Sequence, residues 1–281
     1  MAYNDDPQRF AFGANWTRFL SVLDEDRIRE AERSLLEMLG VESLSGKHFL
    51  DIGSGSGLFS LAARRLGAKV KSFDFDQQSV ACTAELRKRF FPDDSDWHVE
   101  QGSALDCTYL QAMPRFDIVY SWGVLHHTGS MWLGIENAIS RVAEEGQLFI
   151  AIYNDQGSKS HGWWLVKYIY TKLPRPINII YAFSLGALGN LLNVIKYTLK
   201  LNPMAAIKPL LNYKKRRGMS LIHDMIDWMG GFPYEFARYE LLADYMSARG
   251  FRLERGKAAT SLGCHEMVFR RLPKSSTACV E

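Results

Sequence analysis

The chain has 281 residues, 47% apolar and 23% charged, which is long enough for a sizeable core and ordinary for a soluble globular protein. That composition excludes a disordered, collagen-like or mainly membrane-embedded chain. Thirty-four Lys and Arg against 31 Asp and Glu give a net charge of +3, unevenly spread. Gln156 to His223 holds eleven of the basic residues and none of the acids, which leaves 23 against 31, or −8, elsewhere. Met1 to Phe10 is polar rather than a basic-then-apolar leader, and Cys82, Cys107, Cys264 and Cys279 lie far apart. A reducing cytoplasm is therefore the expected compartment.

Residues 1–45 read as an N-terminal helical cap, with the aromatic stretch Phe10–Trp16 ahead of an amphipathic helix over Arg27–Leu39 stopped by Gly40. Strands and helices then alternate. Lys47–Ile52, Lys69–Phe73, Trp97–Glu100, Phe116–Ser121 and Gln147–Tyr153 read as strands. Leu58–Leu66, Gln78–Phe90 and Trp132–Val142 read as helices. Repeated βα units over 46–155 imply a parallel sheet with helices on both faces. A basic segment, 156–233, interrupts this pattern. Over 234–272 follow a helix, Tyr239–Arg249, and two strands, Phe251–Arg255 and His265–Arg271, expected as an antiparallel edge; 273–281 reads as a tail.

The most informative stretch is Phe49-Leu50-Asp51-Ile52-Gly53-Ser54-Gly55-Ser56-Gly57, a glycine-rich turn from strand to helix. Asp74 ends the next strand, where a carboxylate can accept ribose hydroxyls. The spacing is G-x-G-x-G rather than the dinucleotide G-x-G-x-x-G, and Asp51 stands two residues before the first glycine. A carboxylate there repels a pyrophosphate and suits an ammonium group. S-adenosylmethionine carries an ammonium and a ribose but no phosphate.

With these residues the chain resembles the class I S-adenosylmethionine-dependent methyltransferases, particularly the branch containing ubiquinone and menaquinone biosynthesis enzymes. The resemblance spans about Gly46–Ile152 and Tyr239–Arg271. It implies a Rossmann-like α/β fold, a seven-stranded, mostly parallel sheet of order 3-2-1-4-5-7-6. It also implies a cofactor site in which Asp51, Gly53, Ser54, Gly55 and Gly57 line the methionine end, Asp74 meets the ribose and Phe75 flanks the adenine. Ser103 and Ala104 fall where many members carry Gly-Asp-Ala, with Ser103 replacing the acid, and Trp122 is placed to cover the cofactor. S-adenosylhomocysteine would be the product.

Methyl transfer to a hydroxyl or thiol needs a group that accepts a proton, and open sheets bind ligands at their strand carboxyl ends. His126 and His127 follow the fourth strand, and imidazole titrates near neutrality. The Asn/Asp-Pro-Pro-aromatic motif of enzymes acting on nucleobase amines is absent there. Tyr153 and Asn154 end the fifth strand. An antiparallel seventh strand starts at the same rim and brings His265 beside them, and Tyr234 and Glu235 approach from the final helix. Trp16 is a further candidate for closing the site. His126, His127 and His265 are thus the base candidates, and Trp16, Tyr153, Asn154, Tyr234 and Glu235 the acceptor contacts. Tyr234 and Glu235 as helix caps, and His265 as a satisfied edge residue, are the plainer alternatives. His223 and Asp227 share a helix spacing, yet no third ligand is identifiable, so no metal is expected.

Within the insertion, Pro176–Ile195 contains no charge. About twenty such residues can cross a bilayer, but a single crossing would part the last two strands from their sheet, and Asn178, Asn190 and Asn193 oppose it. Two readings stand. The favoured one is a helical lid whose apolar face packs on the core. The other is a lid resting on anionic membrane through 156–217, with Lys214-Lys215-Arg216-Arg217, Trp163 and Trp164 as anchors. Nucleic acid is the least favoured partner. The expected activity is methyl transfer to an oxygen or sulfur of a small metabolite. The alternatives are a membrane-associated lipid or quinone-like acceptor, and a non-catalytic cofactor-binding protein.

Overall fold

A computed structural model of the protein describes residues 16, 19–200 and 228–273. The first long helix, α1 (Glu25–Leu39), begins where Asp24 accepts the Arg27 N–H at 2.9 Å and ends on Gly40 at φ 70°. The cap adds a half-turn to the span expected from apolar periodicity. There follow β1 (His48–Ile52), α2 (Leu58–Arg65), β2 (Lys69–Asp74), α3 (Gln77–Phe90), β3 (Trp97–Gln101), α4 (Cys107–Gln111), β4 (Phe116–Trp122), a 3-10 turn (Leu125–His127) and α5 (Met131–Ser140). After β5 (Val142–Tyr153) come the insertion helices α6 (Ser158–Lys172) and α7 (Ile177–Leu199), then α8 (Tyr239–Ser247), β6 (Phe251–Lys257) and β7 (Cys264–Arg271).

The seven strands form one sheet in the order β3-β2-β1-β4-β5-β7-β6, as expected, with β7 antiparallel to both neighbours. Alternation along the strands feeds two cores. Leu50, Val119, Leu148, Ile150, Met267 and Phe269 face α4, α5 and α8, whereas Phe49, Ile118, Tyr120, Phe149 and Val268 face α1, α2 and α3. Both faces are covered, as a mostly parallel sheet requires. Two details differ from the sequence reading. Short α4, capped by Asp106, was not expected, and β5 starts at Val142, which pairs with Phe116 ahead of a register shift, so it is strand rather than the end of a helix.

The chain leaves β1 for β2 on one side and returns to β4 on the other, so the loops after β1 and β4 diverge and open a crevice. At the same rim the antiparallel β7 starts, with Cys264 opposite Tyr153 and His265 opposite Ile152.

The insertion corrects one expectation. Ser160, Lys167 and Tyr170 of α6 are buried, but among the described side chains of α7 only Ala182 is, in a small cluster with Tyr170 and Met229. The apolar face of α7 does not pack on the core. Both sheet faces are covered by other helices, and among the described residues α7 meets only the small cluster on α6. The basic run Lys214–Arg217, together with His223 and Asp227, lies outside the described residues.

Candidate active site

The cofactor end is a glycine turn drawn tightly onto its neighbours. Gly53 and Ser54 donate their N–H groups to the Phe73 carbonyl at 2.8 and 3.1 Å, which ties the loop to β2. Gly53, Gly55 and Gly57 all have positive φ. A Cβ on Gly53 would lie 2.4 Å from Val124, and one on Gly57 2.8 Å from the Thr83 backbone. The positions therefore require glycine for space as well as for conformation. Ser54 Oγ shares a 2.9 Å hydrogen bond with Thr83. The ring of Trp16 covers the loop, 3.0 Å from where a Gly55 Cβ would stand.

Two carboxylates flank this cradle. Asp51 is buried, accepts the Ser60 hydroxyl at 2.5 Å, and is pushed up to about 7 by burial, with the nearby Asp74 charge adding to the shift. Asp74 accepts the N–H groups of Gly55 and Asp76, each at 2.9 Å; each carboxylate oxygen can accept a second bond. A cationic ligand relieves the repulsion between the two acids, whereas a pyrophosphate would increase it. This donor and acceptor set fits S-adenosylmethionine: Asp51 would hold the ammonium and Asp74 the ribose.

At the adenine end, Gln101 donates to the Phe75 carbonyl at 3.0 Å and Asn137 to that of Ala104 at 2.9 Å. The Ser103 hydroxyl accepts the Leu105 N–H at 3.2 Å and so holds the turn before α4. Trp122 closes β4 at the same rim. It is half-exposed, and its indole N–H donates at 3.1 Å to Glu266, across β5 on β7.

The three histidines differ in how their nitrogens are used. His127 donates from Nδ1 to the Pro233 carbonyl at 2.7 Å and anchors the loop before α8. His265 accepts the Ala259 N–H on Nδ1 at 3.0 Å, and burial holds its pKa below the usual value. With that bond His265 braces the turn into β7, while its buried Nε2 has no hydrogen-bond partner among the described residues. His126 is 1% exposed and faces the Ala151 backbone, while its Nδ1 has no hydrogen-bond partner among the described residues. Burial, followed by the charges of His127 and Lys167, holds its pKa well below the usual range, so the ring is neutral.

Tyr153 ties these groups together, with its ring centroid 4.0 Å from His126, 5.4 Å from His127 and 5.0 Å from Tyr234. Burial pushes the Tyr234 hydroxyl up to about 12. Asn154 is committed to structure, donating to the carbonyls of Ala259 and Ser261. Glu235 accepts the Met131 N–H on both oxygens, at 3.1 and 3.0 Å, and so caps α5 while also lining a cavity. That cavity, of about 500 Å³, is bounded by Met131, Trp132, His161, Trp164, Tyr234, Glu235 and Phe236.

Lys167 is the residue that sequence reasoning missed. It is fully buried, donates to the Trp228 carbonyl, and sits 4.4 Å from the Trp228 ring and 5.1 Å from that of Tyr234. Burial alone lowers it to about 7. Its spacing was a usable signal, since Ser160, Lys167 and Tyr170 recur on one face of α6. Among the described residues, no group of three or more His, Cys, Asp or Glu is gathered for a metal.

A family model described as a methyltransferase domain matches residues 23–194, more than half of the chain. The ubiquinone biosynthesis O-methyltransferase of Parvibaculum lavamentivorans is 30% identical over 148 residues, 50% of this chain and 54% of that protein. A ribosomal protein L11 methyltransferase of Prochlorococcus marinus is 39% identical over 85 residues, 30% of this chain and 28% of that protein. The chain thus spans about half the length of the first relative and less of the second. In fold it is similar to the magnesium protoporphyrin IX methyltransferase of Synechocystis PCC 6803, solved with bound SAH. The TM-score is 0.52 at 14% identity, covering 87% of this chain and 82% of that one. Because the family match takes in the glycine cradle, both flanking acids and the strands that carry them, the chain belongs to the class I S-adenosylmethionine-dependent methyltransferases.

Proposed function

We propose that the protein transfers a methyl group to the hydroxyl oxygen of a small, largely apolar acceptor, with a phenolic hydroxyl best suited. The carrying observation is the unpartnered Nδ1 of a neutral, buried His126 beside Tyr153 at the carboxyl ends of β4 and β5. When bound, S-adenosylmethionine supplies an electrophilic methyl group on a sulfonium. Asp51 and Asp74 fix its two polar ends, and the aromatic walls of the cavity take the body of the acceptor. His126 Nδ1 takes the hydroxyl proton as the oxygen loses charge. An imidazole of low basicity suits an acidic hydroxyl better than an aliphatic one. Tyr153 and Tyr234 orient the acceptor, and the α6 lid keeps water out. The O-methyltransferase name of the Parvibaculum relative supports the choice of oxygen.

The test is transfer of tritiated methyl from S-adenosylmethionine to matched phenols, alkanols, thiols and amines. Label in the phenols is expected. His126→Asn should lower kcat by about 10²–10⁴ with cofactor affinity unchanged. Label in thiols or amines alone would overturn the choice of oxygen. Tight cofactor binding without transfer to any acceptor would overturn the catalytic reading.

A further inference from the structure

Helix α7 is long and apolar enough to cross a membrane, yet it lies outside both cores. Ile177, Ile180, Leu188, Leu191, Ile195 and Leu199 are all exposed and recur at helical spacing on one side of it. Such a contiguous apolar strip marks a contact surface. The charges around the strip identify its occupant. Lys172 and Arg175 stand exposed before α7, Lys196 and Lys200 at its end, and no Asp or Glu occurs from Gln156 to His223. A second copy of the chain would set one basic rim against another, whereas anionic headgroups complement the rim while acyl chains receive the strip.

A single crossing would part the sheet: the chain precedes α7 in β5 and follows it in β6 and β7 of the same sheet. A helix of 23 residues spans about 35 Å, enough to lie along the interface. On α6, Trp164 and Leu165 are also exposed, and Trp164 lines the cavity beside His161 and Phe236. An exposed apolar side chain of the insertion therefore borders the acceptor cavity.

We infer that α7 and the outer face of α6 rest on an anionic bilayer, with the acceptor cavity opening beside that surface. The docking stands on its own. Only its consequence, that an apolar acceptor enters from the lipid side, rests on the O-methyl-transfer reading. Vesicle binding is measured without any acceptor, so the failure of one is distinguishable from the failure of the other.

The test is co-sedimentation of the full chain with vesicles of phosphatidylcholine alone or with about one-third phosphatidylglycerol, at low and high salt. Expected is at least tenfold stronger partition to the anionic vesicles, weakened by salt and lost in the triple variant Ile180→Glu, Leu188→Glu, Leu191→Glu. These side chains are exposed, and unchanged cofactor affinity by calorimetry shows that the variant is folded. Equal partition to both vesicle types, or pelleting of the triple variant like the parent, overturns the inference. So does a dimer in light scattering that the triple variant abolishes while no vesicle binding is seen.

Discussion

Asp51 in β1 accepts the hydroxyl of Ser60 in α2 at 2.5 Å, beneath the glycine turn that joins them, and burial pushes that carboxyl up to about 7. The folded chain therefore holds a proton that an unfolded one releases near pH 4, so the contribution of Asp51 to folding stability falls as pH rises from about 4 to about 7 and is level above. A cofactor ammonium reverses the bias. Cofactor affinity should rise with pH up to about 7, with proton release on binding below that. Calorimetry at several pH values, in buffers of different ionisation enthalpy, measures both. Asp51→Asn should flatten the dependence and weaken binding about ten- to hundredfold, or ~1.4–2.7 kcal/mol.

Gly53 and Gly46 both have positive φ, but a Cβ on Gly53 meets Val124 at 2.4 Å while one on Gly46 meets nothing within 4 Å. Gly46→Ala should cost only the backbone strain, about 1–2 kcal/mol, and leave cofactor binding intact. Gly53→Ala adds a clash within the cradle and should abolish binding. Val124→Ala should partly restore it, a coupling that a double-mutant cycle reads from calorimetric affinities.

His265→Ala should act on stability rather than on chemistry, because it strands the Ala259 N–H that now donates to Nδ1 at 3.0 Å. The expected loss is about 1–3 kcal/mol in urea denaturation, with kcat nearly unchanged. A large fall in kcat at full stability would instead place this imidazole on the acceptor.

Lys167, lowered to about 7 by burial, binds its proton less readily folded than unfolded. Between about pH 7 and 10 the unfolded chain carries the extra proton, so stability should climb with pH across that window. Thermal melts of the parent and of Lys167→Met test this. The variant should lose the climb and melt higher at pH 7.

The sheet was readable because its signals are local. Apolar alternation marked the strands, and the Gly53-Gly55-Gly57 turn with Asp51 and Asp74 lies within two adjacent βα units. The beginning of β5 was not readable, because Val142 is strand only by pairing with Phe116 across a register shift. Lys167 was visible as a spacing on α6, but its burial depends on Trp228 and Tyr234, more than sixty residues away in sequence.

By itself, then, the sequence determined the alternating strands and helices, the cofactor cradle and its acids, because these follow from nearest neighbours and from the short-range pattern of apolar residues. The strand order was what the family resemblance implied, and it is carried by pairings between strands far apart in sequence, such as β1 with β4 and β5 with β7. Tertiary structure alone decided which ring nitrogens are tied to backbone, since Pro233, Ala259 and the Ala151 backbone reach the three histidines only in the folded chain, leaving His126 Nδ1 and His265 Nε2 without partners among the described residues. It likewise decided that Glu235 caps α5 and that α7 lies outside both cores. A helix buries its apolar side only where a vacant apolar face awaits it, and here α1, α2 and α3 cover one side of the sheet and α4, α5 and α8 the other.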